Sequence, residues 1–109
     1  IQYTSGTTGT PKAAQMTHEA LITSSQNSHI RWKVKNNQKV CHGFPLFHIG
    51  GSACMTLGAA SMGAVSLPLY IFKPSVTLDI IENEGCSMFI GARSCPLYTS
   101  DAATDPTLV

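Results

Sequence analysis

Eight positions near the start of the chain, Ser5-Gly6-Thr7-Thr8-Gly9-Thr10-Pro11-Lys12, hold two glycines, four hydroxyl side chains, one proline and one lysine. A turn that merely joins two elements does not need so many donors, whereas a polyphosphate does. Gly6 and Gly9 let backbone N–H groups come close to a ligand and permit positive φ. Ser5, Thr7, Thr8 and Thr10 each offer a hydroxyl donor. Pro11 stiffens the exit and Lys12 supplies a mobile positive charge. The Walker A pattern requires glycine before the lysine and Ser or Thr after it. Here Pro11 precedes Lys12 and Ala13 follows, so the Mg²⁺-binding hydroxyl of a P-loop NTPase is missing and that reading is excluded. A flexible Ser/Thr/Gly linker is the bland alternative. The strand formers Ile1-Gln2-Tyr3 in front and the Pro-Lys exit behind speak against it.

The stretch Thr4 to Lys12 resembles the phosphate-binding signature of the adenylate-forming superfamily, which reads Thr-Ser-Gly-Thr-Thr-Gly-x-Pro-Lys-Gly. That superfamily holds acyl-CoA synthetases, adenylation domains of peptide synthetases and firefly-type luciferases. Some thirty-five residues further on, Gly43-Phe44-Pro45-Leu46-Phe47-His48-Ile49-Gly50-Gly51 is similar to the Pro-Leu-Phe-His-x-x-Gly segment of acyl-CoA synthetases. The resemblance covers residues 1–92. Ala13 departs from it, standing where a glycine usually follows the lysine, which is harmless unless that position needs positive φ.

The resemblance implies a reaction of ATP with a carboxylate to give an acyl-adenylate and pyrophosphate, followed by acyl transfer to CoA. Catalysis of that kind is positioning plus electrostatic stabilisation of the departing phosphates. By resemblance, Thr4, Ser5, Gly6, Thr7, Thr8 and Gly9 cradle the β- and γ-phosphates, and Lys12 orders the loop or binds pyrophosphate. His48 would stand near the reacting carboxylate and α-phosphate as a hydrogen-bond donor; a locally satisfied histidine ending a strand is the alternative. Gly50, Gly51 and the small face of the following helix would wall an acyl tunnel, or serve close helix packing. Mg²⁺ would be held by residues outside this stretch. The implied partners are the carboxylic acid, ATP and CoA, with a fatty acid as the expected acid. An amino-acid or aryl-acid adenylating enzyme is the second reading, and a non-catalytic nucleotide-binding protein the third.

These residues need elements to position them. Thr17 is a suitable N-cap for a helix over residues 18–32, with Glu19 in its first turn and Leu21, Ser25, Ser28 and Trp32 at helical spacing. Asn36-Asn37 mark its end as turn formers. A short strand is expected over residues 39–44, and residues 45–48 form the loop at its far end. Residues 49–62 read as a helix of small side chains, and Val65 begins another strand that Pro68 pushes to the sheet margin. Pro74 opens and Gly85 closes an amphipathic helix with Val76, Ile80 and Ile81 inward. Residues 87–90 complete the pattern as an apolar strand. Alternation of this kind predicts an α/β fold: strand-helix units forming a mostly parallel sheet, here as part of the large N-terminal domain of an adenylate-forming enzyme. The phosphate loop and the His48 loop then lie at the carboxyl ends of strands, where such sheets bind ligands.

Composition sets bounds. The 109 residues carry a net charge of +1 and only 12% charged side chains, as expected of a piece of a larger protein's interior. Arg31, Lys33, Lys35 and Lys39 cluster loosely without forming a basic block, so nucleic acid is not an expected partner. Cys41, Cys54, Cys86 and Cys95 show no C-x-x-C spacing, which favours reduced thiols and an intracellular protein over zinc or disulfides. His18, His29 and His42 read as structural or exposed. Residues 49–72 contain no charge, but glycines and Pro68 interrupt them, so a buried helix and strand explain them better than a membrane span. From residue 93 the apolar periodicity is lost. Leu97-Tyr98-Thr99-Ser100-Asp101-Ala102-Ala103 resembles a translated sequencing-adapter peptide, so residues 1–92 are read as the partial adenylation domain and 93–109 as a non-native or disordered tail, a divergent surface tail being the alternative. If the superfamily resemblance holds, the native message past Ala92 encodes a Tyr-Gly-x-Thr-Glu segment. Sequencing the uninterrupted transcript checks this, and its absence would remove the expected metal-binding carboxylate.

Overall fold

The computed structural model describes residues 1–6 and 9–91. The expectations for Thr7, Thr8 and the tail at 93–109 lie outside the described residues.

The first strand, β1 (Gln2–Thr4), pairs antiparallel with β2 (Lys12–Ala14), so the glycine- and hydroxyl-rich stretch closes a hairpin. This corrects the strand-then-helix expectation. Lys12-Ala13-Ala14 carries no strand former, but it lies opposite Thr4-Tyr3-Gln2 and completes their ladder. β1 therefore stands outside the parallel sheet, and among the described residues no hydrogen bond ties the hairpin to that sheet.

Helix α1 (His18–Arg31) begins at Thr17, whose Oγ1 accepts from the Ala20 N–H at 3.1 Å. Its inward face is polar: Ser25 and His29 are buried, while Trp32 at the C-cap is partly exposed. The Ser25 hydroxyl lies 2.6 Å from the Leu21 carbonyl and 2.9 Å from that of Ala53. After a turn with Asn37 at φ 64° the chain enters β3 (Lys39–His42).

β3 is the centre of a three-stranded parallel sheet in the order β4-β3-β5, with β4 (Val65–Pro68) on one side and β5 (Met88–Ile90) on the other. The register pairs Cys41 with Leu67 and with Phe89. The parallel sheet is as expected, and β4, with Pro68, is at an edge. Between β3 and β4 a π-helix (Gly50–Leu57) runs without a break into the short α2 (Gly58–Ser61). Between β4 and β5, α3 (Pro74–Glu84) starts with proline in its first turn and ends at Gly85 in the left-handed conformation, φ 62°. Its buried residue is Thr77, whereas Val76 and Leu78 are exposed, which corrects the inward placement of Val76. Ile80 and Ile81 are half-buried. Lys39 and Glu84 form an ion pair at 2.9 Å, and exposed pairs of this kind contribute little.

The core is small and partly polar: Val34, Val40, Cys41, Met55 and Ala59, with His29, His42, Ser25 and Thr77 among them. None of the helices among the described residues is long and apolar enough to cross a membrane.

α1 packs on the π-helix and α2 closely enough that a methyl group on Gly58 would collide with Cε1 and Nδ1 of the His29 ring. That ring is fully buried and its Nδ1–H donates to the Ser25 carbonyl at 3.0 Å, so it has nowhere to retreat. Helix propensity alone would make Gly58→Ala stabilising by about 1 kcal/mol. Overpacking at a pinned ring costs about 1–3 kcal/mol and reverses the sign. Gly58→Ala in the full-length protein should therefore lower the thermal midpoint, as calorimetry would read; a raised midpoint would contradict the packing.

Candidate functional site

Two loops carry the residues singled out by type and spacing. The first is the hairpin turn between β1 and β2. Gly6 has φ 65° and Gly9 φ 84°. A side chain on Gly6 would run into the Thr10 carbonyl, so both its conformation and its surroundings demand glycine. The Thr4 hydroxyl makes a long contact of 3.4 Å with the Lys12 carbonyl. Ser5 and Thr10 spend their hydroxyls on no partner among the described residues, and the Gly6 and Gly9 amides likewise have none. Lys12 is exposed at the start of β2, without a carboxylate beside it among the described residues. Ala13 lies in the extended strand, and the only non-glycine residues with positive φ among those described are Lys33 and Asn37. The extra methyl at position 13 is thus accommodated without strain.

The second loop leaves the carboxyl end of β3, where the Gly43 N–H donates to the Ile90 carbonyl at 3.1 Å. The chain then turns at residues 45–48 and enters the π-helix. The His48 carbonyl accepts from the amides of Gly51 (3.0 Å) and Ser52 (3.1 Å) and from the Ser52 hydroxyl (3.0 Å). The exposed His48 ring accepts at Nδ1 from the Gly50 N–H, 2.9 Å away. An acceptor at Nδ1 leaves the proton of the neutral ring on Nε2. Gly51 lies against the Phe44 and Pro45 carbonyls, leaving no room for a side chain. The close-packing role of Gly51 is therefore visible.

Beside His48, the ends of β3 and β4 enclose an apolar groove of about 450 Å³, lined by Pro45, Leu46, Phe47, Pro68, Leu69 and Tyr70. Phe47 and Tyr70 are 86% and 99% exposed. Position 70 carried no motif and was not among the residues singled out; only its place just past β4, opposite the His48 loop, marks it.

A chain of polar contacts links β3, β4 and the π-helix. His42 Nε2 shares a hydrogen bond with Ser66 Oγ at 3.2 Å, Ser66 approaches Thr56 Oγ1 at 3.5 Å, and Thr56 donates to the Gly51 carbonyl at 2.8 Å. Burial pushes the His42 pKa below its ordinary 6.5, the Phe44 backbone offsetting this in part. Burial also pushes the Cys41 thiol up to about 11, with the Cys86 thiol beside it adding to the shift. Cys41, Cys54 and Cys86 are free thiols. Among the described residues no three His, Cys, Asp or Glu side chains converge as a metal site, and none of the residues from Thr4 to Lys12 is a carboxylate.

Residues 1–95 match the family model described as AMP-binding enzyme. The chain belongs to this family. It is 34% identical over 91 residues to a provisionally assigned acyl-CoA synthetase of Bacillus subtilis (strain 168), YngI, covering 84% of this chain and 17% of that protein. To the indoleacetate–CoA ligase of Aromatoleum aromaticum it is 36% identical over 90 residues, 83% of this chain and 18% of that one. Its fold is that of part of Bacillus subtilis o-succinylbenzoate CoA synthetase (MenE), solved as a double mutant with the product analogue OSB-NCoA. The likeness has a TM-score of 0.71 at 28% identity, over 81% of this chain and 18% of that one. The chain spans about a sixth to a fifth of the length of these relatives.

The neutral, buried His42 has a consequence for acid stability. The unfolded ring takes up a proton near its ordinary value of 6.5, whereas the folded ring binds it only at lower pH. The unfolded state therefore holds more protons in that window, and the contribution to stability is present above pH 6.5 and lost as pH falls through the folded value. Denaturation midpoints of the full-length protein between pH 7.5 and 5 should fall less steeply in His42→Gln than in the native protein. An identical slope would place the loss elsewhere.

Proposed function

We propose that this chain is the nucleotide-gripping part of an ATP-dependent acid–CoA ligase, whose hairpin turn holds the β- and γ-phosphates while a carboxylate attacks the α-phosphorus. The observation carrying this reading is the turn itself. Its hydroxyls at Ser5 and Thr10 and its amides at Gly6 and Gly9 are uncommitted among the described residues, beside a lysine with no carboxylate partner among them. Donors left idle in that way suit an anionic tail, and membership of the AMP-binding family supplies the nucleotide. Thr4, Ser5, Gly6, Thr7, Thr8 and Gly9 form the cradle, and Lys12 meets the pyrophosphate as it leaves. His48 gives a hydrogen bond from Nε2 to the reacting acid or the α-phosphate.

Bringing the acid in line with the α-phosphorus and holding charge on the departing phosphates are the two tasks of this step. Transfer of the acyl group to CoA follows. The residues described here do not suit Mg²⁺, which would be held beyond this chain. The localisation is intracellular, in keeping with thiols kept free.

The acid is an apolar one, and a fatty acid is the first choice, with Gly50 and Gly51 in the acyl wall. An aryl acid is the second. The exposed rings of Phe47 and Tyr70 favour it, as do the names of two relatives, which act on indoleacetate and on o-succinylbenzoate.

Acid-dependent exchange of pyrophosphate into ATP by the full-length protein tests the reading, with fatty, aryl and amino acids offered in turn. Exchange with no acid would leave a nucleotide binder; exchange with aryl acids alone would replace the fatty-acid choice. Lys12→Ala and Thr8→Ala should each raise KM for ATP by roughly 10-fold or more, as expected for lost charge-assisted hydrogen bonds. Unchanged ATP kinetics in both would mean that the turn grips something else.

A further inference from the structure

The geometry points to Gly50 as the positioning residue that fixes His48 in its Nε2–H tautomer, through a backbone amide that donates to Nδ1. The inference rests on the role proposed for His48 and adds what holds that side chain ready. An isolated neutral imidazole carries its proton on either nitrogen, and which one is set by the hydrogen bond the other makes. Here the Gly50 N–H meets Nδ1 at 2.9 Å. Because an amide can only donate, Nδ1 must be bare and Nε2 must carry the proton. The donor is thereby committed to the side of the ring away from the backbone, where an incoming oxygen atom can reach it.

Two further features make this arrangement rigid. The amide belongs to the first residue of the π-helix, whose opening turn is tied to the His48 carbonyl by Gly51 and Ser52. Backbone and ring of one residue are thus held by the same helical turn. Gly50 also occupies a slot between two rings: a methyl group there would come within 3.1 Å of His48 Nδ1 and 3.1 Å of Phe44 Cδ1. Such a methyl can be seated only if the imidazole or the Phe44 ring gives way. Glycine at position 50 thus supplies a donor and leaves space for its acceptor. A larger first residue would supply the same donor but press its acceptor, or the Phe44 ring, away by a few tenths of an ångström.

The test uses full-length protein with ¹⁵N-labelled histidine and backbone, in neutral to mildly alkaline buffer. The His48 resonances are assigned by their absence in His48→Gln. Native protein should show an unprotonated Nδ1, a protonated Nε2, and a scalar coupling across the hydrogen bond between the Gly50 nitrogen and Nδ1. Gly50→Ala should lose that coupling, mix the tautomers, and reduce kcat for acyl-adenylate formation by roughly 10- to 100-fold, as misplacement of a positioned group does. KM for ATP should stay within about 2-fold, since the phosphate turn is untouched.

A native His48 protonated at Nδ1 would overturn the inference even if the variant fails to fold. So would Gly50→Ala with the native tautomer and coupling, whatever its rate. The functional reading of His48 fails separately, if His48→Ala exchanges pyrophosphate at the native rate while the native ring still shows the Nε2–H form.

Discussion

β3 is the one strand among the described residues with ladders on both sides, and the His48 loop, the π-helix that follows it and the apolar groove all depend on where it ends. Parallel pairing with β4 and β5 leaves Val40, Cys41 and His42 almost without solvent contact. Burial on this scale contributes about 25 cal/mol per Å² of apolar surface, and it fixes where the strand ends. The segment from Gly43 to His48 then starts from a rigid point. Its first amide is still held by Ile90, and its last carbonyl is the foundation of the π-helix. In a parallel sheet the carboxyl ends of neighbouring strands open on the same side, which is why the groove walls come from residues just past β3 and β4.

Polar residues do much of the packing in this small core. His29 and His42 each leave one ring nitrogen without a partner among the described residues, as Thr77 leaves its hydroxyl. Such groups cost free energy when buried. Small residues offset the cost by letting helices approach closely: Gly58 meets the His29 ring and Gly51 meets the loop carbonyls. A continuous π-helix of eight residues is uncommon. Its wider turn lies where the chain passes from an extended strand through the His48 loop into a helix within a few residues.

Much of this was legible in the residues, for identifiable reasons. Thr17, Pro74 and Gly85 are terminal signals with local mechanisms, and each stands at the helix end it marks. Pro68 cannot donate to a ladder, and β4 is an edge strand. β2 was not legible, because Lys12-Ala13-Ala14 forms a strand only by pairing with β1 and has no intrinsic preference for it. The π-helix was hidden for a related reason: a run of Gly, Ser, Ala and Cys has too little hydrophobic contrast to show its period. The placement of Val76 failed because Thr77 takes the buried position of α3. In the site, motif spacing located the two loops, whereas the bond between Gly50 and His48 depends on coordinates alone.

β4 and β5 each turn an outer edge toward open space among the described residues, and Phe47, Tyr70 and Ile71 crowd one rim with their rings and side chains uncovered. Unfilled backbone donors beside sticky surface invite a neighbouring molecule to zip on as an extra strand. Both edge strands are short, four and three residues, and Pro68 has no N–H to offer, so such an added strand would find little to pair with.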